Sequence, residues 1–310
     1  MNSWLGRRAR RADTATDAES ETTAAPAGAA ALGRITTWLV AIYLVAVLAL
    51  MVILKVTPTV DVFAALAGIG ALVIGRGRAF IRDWGPFVLI LAAWESMRGI
   101  ANSFGQSVQS DSVIAVERFL FLGHVPTVEL QRAFFQPGHV QLHDILLTFL
   151  YTSHFFFPLA FAFVLWLYDR QRYYRFIVTL LAVSFAAFLT FFVLPVAPPR
   201  FAYQYGEALP VTDVMAAVTK SVSWGGFDWI YRNLVGNPVA AFPSMHAAYP
   251  TIVLLFLAER SRRLALAWAP VMCAIWFGTV YLGHHYVLDV LGGIVYAVVA
   301  YLWVRRLMRQ

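Results

Sequence analysis

Two short polar clusters hold the residues best suited to chemistry. One is Phe242-Pro243-Ser244-Met245-His246, and the other is Gly283-His284-His285-Tyr286-Val287-Leu288-Asp289. His285 and Asp289 are four apart at the start of an apolar run, so on a helix they share one face. A carboxylate one turn from an imidazole accepts a hydrogen bond from one ring nitrogen, sets the tautomer and leaves the other nitrogen as nucleophile or base. In the first cluster Pro243 precedes Ser244 and His246 at a helix start, where free N–H groups and the helix dipole make a seat for an anion. Ser244 can add a hydroxyl donor, and His246 can protonate a leaving oxygen. Taken singly, these residues also fit plainer roles: Asp289 answering the dipole, Ser244 capping a helix, the histidines lying at a membrane surface. Two such clusters, each opening a helix on one side of a membrane, favour a shared phosphate-handling site.

A phosphoryl group also needs cationic donors, and arginine's planar fork suits it best. Arg200 follows Pro198-Pro199 just past an apolar run, and Arg98 lies near the end of another with Glu95 one turn before it. An ion pair with Glu95 or a snorkelling position at the interface is the plainer role for Arg98. His154 and Asp144 fall within an apolar run, so His154 must face protein or a watery cavity. There it lines the site or bonds a neighbouring helix. His284 neighbours the site by position alone. Arg118 and Arg132 read as solvated helix faces, and His124, His139 and His143 as surface residues.

The elements that must position these groups are membrane helices. The chain is 310 residues long, 60% hydrophobic and 13% charged, where a soluble domain carries about a quarter charged residues. Apolar segments run over 35–54, 60–75, 84–100, 141–167, 173–194, 245–259, 264–282 and 287–304, against the roughly 20 residues a helix needs to cross a bilayer. Arg76, Arg78 and Arg82 lie between the second and third. Arg170, Arg172 and Arg175 lie between the fourth and fifth, and Arg260, Arg262 and Arg263 between the sixth and seventh. Arg305, Arg306 and Arg309 follow the eighth. With the Arg-rich N-terminal tail inside, every one of these groups falls on the cytoplasmic side. The expectation is an all-α polytopic bundle of about eight transmembrane helices in the plasma membrane, with both termini cytoplasmic and both polar clusters extracytoplasmic.

Residues 1–33 are polar and of low complexity and are expected to form a disordered cytoplasmic tail, leaving 34–310 as a transmembrane catalytic domain. Residues 113–136 mix apolar positions with Glu117, Arg118, Glu129 and Arg132, as interfacial helices do, and Trp224, Trp229, Phe134 and Phe135 suit the headgroup level. The net charge (24 − 17 = +7) falls between membrane spans and does not argue for nucleic acid. Cys273 is the lone cysteine, which excludes a disulfide framework and a cysteine metal site.

At these motifs the chain resembles the type 2 phosphatidic acid phosphatase superfamily, and more closely its inositol phosphorylceramide synthase-like branch. The matching pieces are Ala241-Phe242-Pro243-Ser244-Met245-His246 and Tyr281-Leu282-Gly283-His284-His285-Tyr286-Val287-Leu288-Asp289. Weaker companions are Pro198-Pro199-Arg200, Tyr151-Thr152-Ser153-His154-Phe155 and Glu95-Ser96-Met97-Arg98-Gly99. The resemblance implies a six-helix catalytic core with added N-terminal helices. It implies that His285 attacks phosphorus to form a phosphohistidine, that Asp289 orients it and that His246 protonates the departing alcohol. Ser244 and arginines would hold the phosphate, with Arg200, Arg98, His284 and His154 as substrate-binding candidates. The chain lacks the Lys-x6-Arg-Pro signature of the wider superfamily, and Thr279 stands six before His285 where an arginine is usual.

The function expected is transfer of a phospho-headgroup from a phospholipid donor, such as phosphatidylinositol, to a lipid or glycan acceptor. With water as acceptor the same site would be a lipid phosphate phosphatase. A proton-coupled transporter would place its ionisable residues near the bilayer midplane, whereas these gather at one face. A metal site from His246, His284, His285 and Asp289 is possible by ligand type, but the adjacent histidines lack a helical i, i+4 partner. Neither a metal nor another cofactor is expected.

Overall fold

The computed structural model describes residues 60–100, 107–222 and 238–308, with a few positions between 38 and 49; side chains at 60, 61 and 95–100 fall outside that description. The chain divides into two units, Met1–Ala49 and Leu50–Gln310, and the helix bundle belongs to the second. The expected tail over 1–33, most of the apolar segment at 35–54, the Glu95 and Arg98 side chains, Trp224 and Trp229 lie outside the described residues.

The helices are α1 (Val60–Val73), α2 (Gly77–Ile100), α3 (Ser110–Leu120), α4 (Pro126–Phe134), α5 (Leu142–Thr152) and α6 (Phe156–Tyr168). They continue as α7 (Arg170–Val193), α8 (Val214–Ser221), α9 (Met245–Arg260), α10 (Arg262–Tyr281) and α11 (Val287–Leu307), with a 3₁₀ helix at Pro199–Gln204. Among the described residues there is no β-strand, only the isolated bridges Gln136 to His139 and Val196 to Ala240. The all-helical class is as expected.

Among the described residues three helices, α7, α10 and α11, are long and apolar enough to cross a membrane. The expected single segment at 141–167 is instead two helices, α5 and α6, bent by 48° at a short break, and together they make a fourth candidate span. The break has a chemical cause. Pro158 has no N–H to offer the carbonyl four residues back, at His154, and proline is tolerated only in a first helical turn. Just before it, the hydroxyls of Thr152 and Ser153 both donate to the Phe149 carbonyl, at 3.0 and 2.7 Å, competing with the backbone ladder. The remaining runs are shorter or more polar: α1 has 14 residues, α9 has 16, and α2 takes Arg78, Arg82 and Asp83 into its first turns.

The centre of the bundle is α9, which packs against α6, α7, α10 and α11. Its small residues Ala247 and Ala248 are fully buried beside Ile252, Val253 and Phe256, so neighbouring helices approach its first turns closely. The amphipathic helices α3 and α4 bury Ile114, Val125 and Val128 in a cluster with Val196, Ala202, Ala241 and Tyr286, while Phe119 and Leu122 stay exposed.

Candidate active site

Two helix ends and a turn build the site. After α10 the chain reverses at Gly283, whose φ of +83° favours glycine; a Cβ there would sit 2.9 Å from Val211 Cγ1 and 3.1 Å from the Thr212 carbonyl. The N–H groups of His284 and His285 both donate to the Thr279 carbonyl, at 3.2 and 3.1 Å. Thr279 thus holds the histidine turn through its backbone.

His285 is buried, and its Nδ1 lies 3.0 Å from the Ala241 carbonyl and 3.4 Å from Asp289 Oδ2. A carbonyl only accepts, so Nδ1 carries a proton, and in the neutral ring Nε2 keeps the lone pair. That lone pair faces His246 Nδ1 at 3.1 Å. His246 itself lies between Tyr151, stacked at 4.0 Å and 12°, and His154 at 3.8 Å. His154 sits in the α5–α6 break, where its Nδ1 meets the Tyr151 carbonyl at 2.9 Å. The break thus turns His154 against His246.

Ser244 caps α9, its Oγ accepting from Ala247 N at 3.3 Å, and its own N–H donates to the Asp289 carbonyl at 2.9 Å. Such closeness between the starts of α9 and α11 requires Gly293, where a Cβ would lie 2.2 Å from the Ser244 carbonyl oxygen. The hydroxyl proton of Ser244 is left to donate elsewhere.

Beside the histidine pair lies a second polar group. Arg200 is buried on the 3₁₀ helix, with its N–H bonded to the Gly283 carbonyl at 3.1 Å and its guanidinium against the His284 ring. His284 Nδ1 lies 2.9 Å from the Tyr151 hydroxyl. Asp213 faces both, 3.6 Å from Arg200 Nε and 3.6 Å from His284 Nε2. Burial first, and then the Arg200 charge, push the His284 pKa down to about 3. His284 is therefore a neutral hydrogen-bonding group at physiological pH, not a cation.

Two residues escaped the sequence reading of the site, Asp213 beside Arg200 and Glu117, while Tyr151, quoted there only within a motif, proves to be the wall against His246. Glu117 is fully buried on α3. Its Oε1 accepts from the N–H groups of Val287 and Leu288, at 2.6 and 3.2 Å, at the start of the helix that carries Asp289. The signal was present, since Val113, Ile114, Leu120 and Phe121 stand three or four positions from Glu117, so a glutamate stands in an apolar stripe. Asp144 is remote in role: it closes a capping box with Gln141 and accepts from Tyr281.

Burial, with the Asp289 charge behind it, raises the Glu117 pKa from 4.5 to about 7. An acid whose pKa rises on folding binds more protons folded than unfolded, so its contribution falls as pH climbs from about 4.5 to about 7. The full effect is on the order of 3 kcal/mol. Glu117→Gln keeps an acceptor for the two amides and removes the charge. Its thermal stability relative to the wild type is therefore expected to grow between pH 5 and pH 8, followed by melting in detergent. A pH-independent offset would contradict a buried titrating carboxylate.

No solved structure matches the chain. Over 231 residues it is 29% identical to the phosphoinositol dihydroceramide synthase of Bacteroides thetaiotaomicron, covering 70% of this chain and 74% of that protein. Over 115 residues it is 28% identical to the inositol phosphorylceramide synthase catalytic subunit of Saccharomyces cerevisiae, covering 35% of this chain and 28% of that one. The PAP2 superfamily profile matches residues 111–303, a stretch that takes in the break at His154, Arg200 and both histidine clusters. The chain belongs to the PAP2 superfamily.

Proposed function

We propose that this membrane enzyme transfers a phospho-headgroup, such as phosphoinositol, from a phospholipid donor to a lipid or glycan acceptor through a phosphohistidine. The observation that carries the reading is the 3.1 Å approach of His246 Nδ1 to the bare Nε2 of His285. In the first half-reaction His285 Nε2 attacks phosphorus, the bond to the diacylglycerol oxygen breaks, and His246 gives that oxygen its proton. In the second, the acceptor hydroxyl passes its proton to His246, its oxygen attacks phosphorus and the N–P bond breaks. Asp289 and the Ala241 carbonyl hold Nδ1–H throughout, and Asp289 offsets the charge of the phosphorylated ring. Arg200, the Ser244 hydroxyl and the first amides of α9 hold the non-bridging oxygens, with His284 and His154 as neighbours of the substrate. A phosphoryl group in line between the rings needs about 3 Å on each side, so His246 and His285 must part to admit it.

We place the site at the extracytoplasmic face of a plasma-membrane protein with eight crossings and both termini inside. The support is that Arg170, Arg260, Arg262, Arg305 and Arg306 stand at the ends of α7, α9, α10 and α11 remote from the histidines. The names of the two relatives support inositol as the headgroup.

Incubation with inositol-labelled phosphatidylinositol and a ceramide or glycolipid acceptor tests the reading by mass analysis of the products. The expected product is a new inositol phosphodiester. Inositol phosphate as the sole product would make water the acceptor and the protein a phosphatase.

A further inference from the structure

At the opposite end of α9 and α11 a cavity of about 580 Å³ opens between α7, α9 and α11. Glu259 is 13 residues beyond His246 on α9 (259 − 246), about 20 Å along the helix, so this cavity is remote from the histidine pair. Three guanidinium groups line it, those of Arg172, Arg175 and Arg305, and one carboxylate, that of Glu259. Arg172, Arg175 and Glu259 are largely buried, with side chains 21%, 17% and 12% exposed.

The single carboxylate is already used. Glu259 Oε1 accepts from Arg175 at 2.6 Å and from the Tyr301 hydroxyl at 2.7 Å, and Oε2 lies 3.5 Å from Arg172. Arg305 reaches only the Tyr301 oxygen in this cluster, at 3.2 Å. Asp169, nearly half exposed at the rim, stands 3.6 Å from Arg172. Arg175 Nε is buried with no hydrogen-bond partner. Each guanidinium carries five N–H groups, so donors and positive charge both exceed the acceptors present. Leaving a buried cationic donor unmet is costly, and a compact anion with several oxygens would meet these donors at once.

We propose that this cavity is a phosphate-binding site, built to take a phosphate monoester or diester between Arg172, Arg175 and Arg305. The forked guanidinium geometry selects phosphate oxygens, and an anionic lipid headgroup or a soluble phosphate would both supply them. The site is independent of the phosphotransfer reading.

Native mass spectrometry of the full chain in detergent tests this, with phosphatidylglycerol, phosphatidylcholine or inorganic phosphate added. Phosphatidylglycerol adducts are expected to exceed those of phosphatidylcholine. The Arg172→Gln, Arg305→Gln double variant is expected to lose them about tenfold. Glu259→Gln is the sharper variant, because it keeps an acceptor for Arg175 and Tyr301 while removing the competing charge. It should raise binding several-fold, where a purely structural ion cluster would show no gain. Inorganic phosphate that displaces the lipid would assign recognition to the phosphate itself, and adducts it cannot displace would assign it to the lipid; either outcome supports the site. Equal binding of both lipids, or adducts unchanged in both variants, would overturn it.

Discussion

His285→Ala is expected to reduce turnover of a phosphatidylinositol donor at least about a thousandfold, as loss of a nucleophile does, and to abolish phosphorylation of the protein. His154 Nδ1 is tied to the Tyr151 carbonyl, and the Nδ1 of His284 meets the Tyr151 hydroxyl. His285 has one ring nitrogen held by two acceptors, the Ala241 carbonyl and Asp289, and the other turned toward His246. Rapid quenching with labelled donor, followed by mass analysis of peptides, should find the phosphoryl group on His285 in the wild type and nowhere in the variant. Melting in detergent separates this from unfolding. Full turnover by a folded His285→Ala protein would eliminate covalent catalysis at this residue.

His246→Ala should be nearly as damaging with a natural donor, lowering turnover by about a hundred- to ten-thousandfold, the usual span for general acid–base groups. Its signature lies in the leaving group. Diacylglycerol departs as a poor alkoxide unless protonated, whereas a nitrophenolate needs no proton. In the first half-reaction, read as the initial burst of nitrophenolate, a nitrophenyl phosphodiester should therefore recover most of the rate in His246→Ala and none in His285→Ala, while the second half-reaction stays slow for want of its base. The stacked Tyr151 ring and His154 remain to hold the pocket's shape in the variant. Equal losses on natural and activated donors would mean that His246 positions substrate and does not supply the proton.

The parts of this protein readable along the chain are those set by short-range geometry. Helix periodicity puts His285 and Asp289 on one face, Ser244 ahead of an apolar run marks a helix start, and composition marks an all-helical membrane protein. Each follows from bonds reaching no more than four residues, or from the solvent the side chains must meet. Even the break between α5 and α6 was locally encoded, in Thr152, Ser153 and Pro158, beneath an uninterrupted apolar run.

What only the tertiary structure decided depends on residues far apart in the chain. Glu117 meets the amides of Val287 and Leu288 across 170 and 171 positions, and Arg200 meets His284 across 84. Asp213 is set against that pair by the fold alone. The neutrality of His284 arises because burial and one neighbouring cation disfavour its charged form, and neither can be read from a pair of adjacent histidines. The meeting of His246 and His285 stood between the two cases: local pattern marked both rings, but the small residues of α9 and the glycine at 293 let the two helix starts come close enough for their nitrogens to touch.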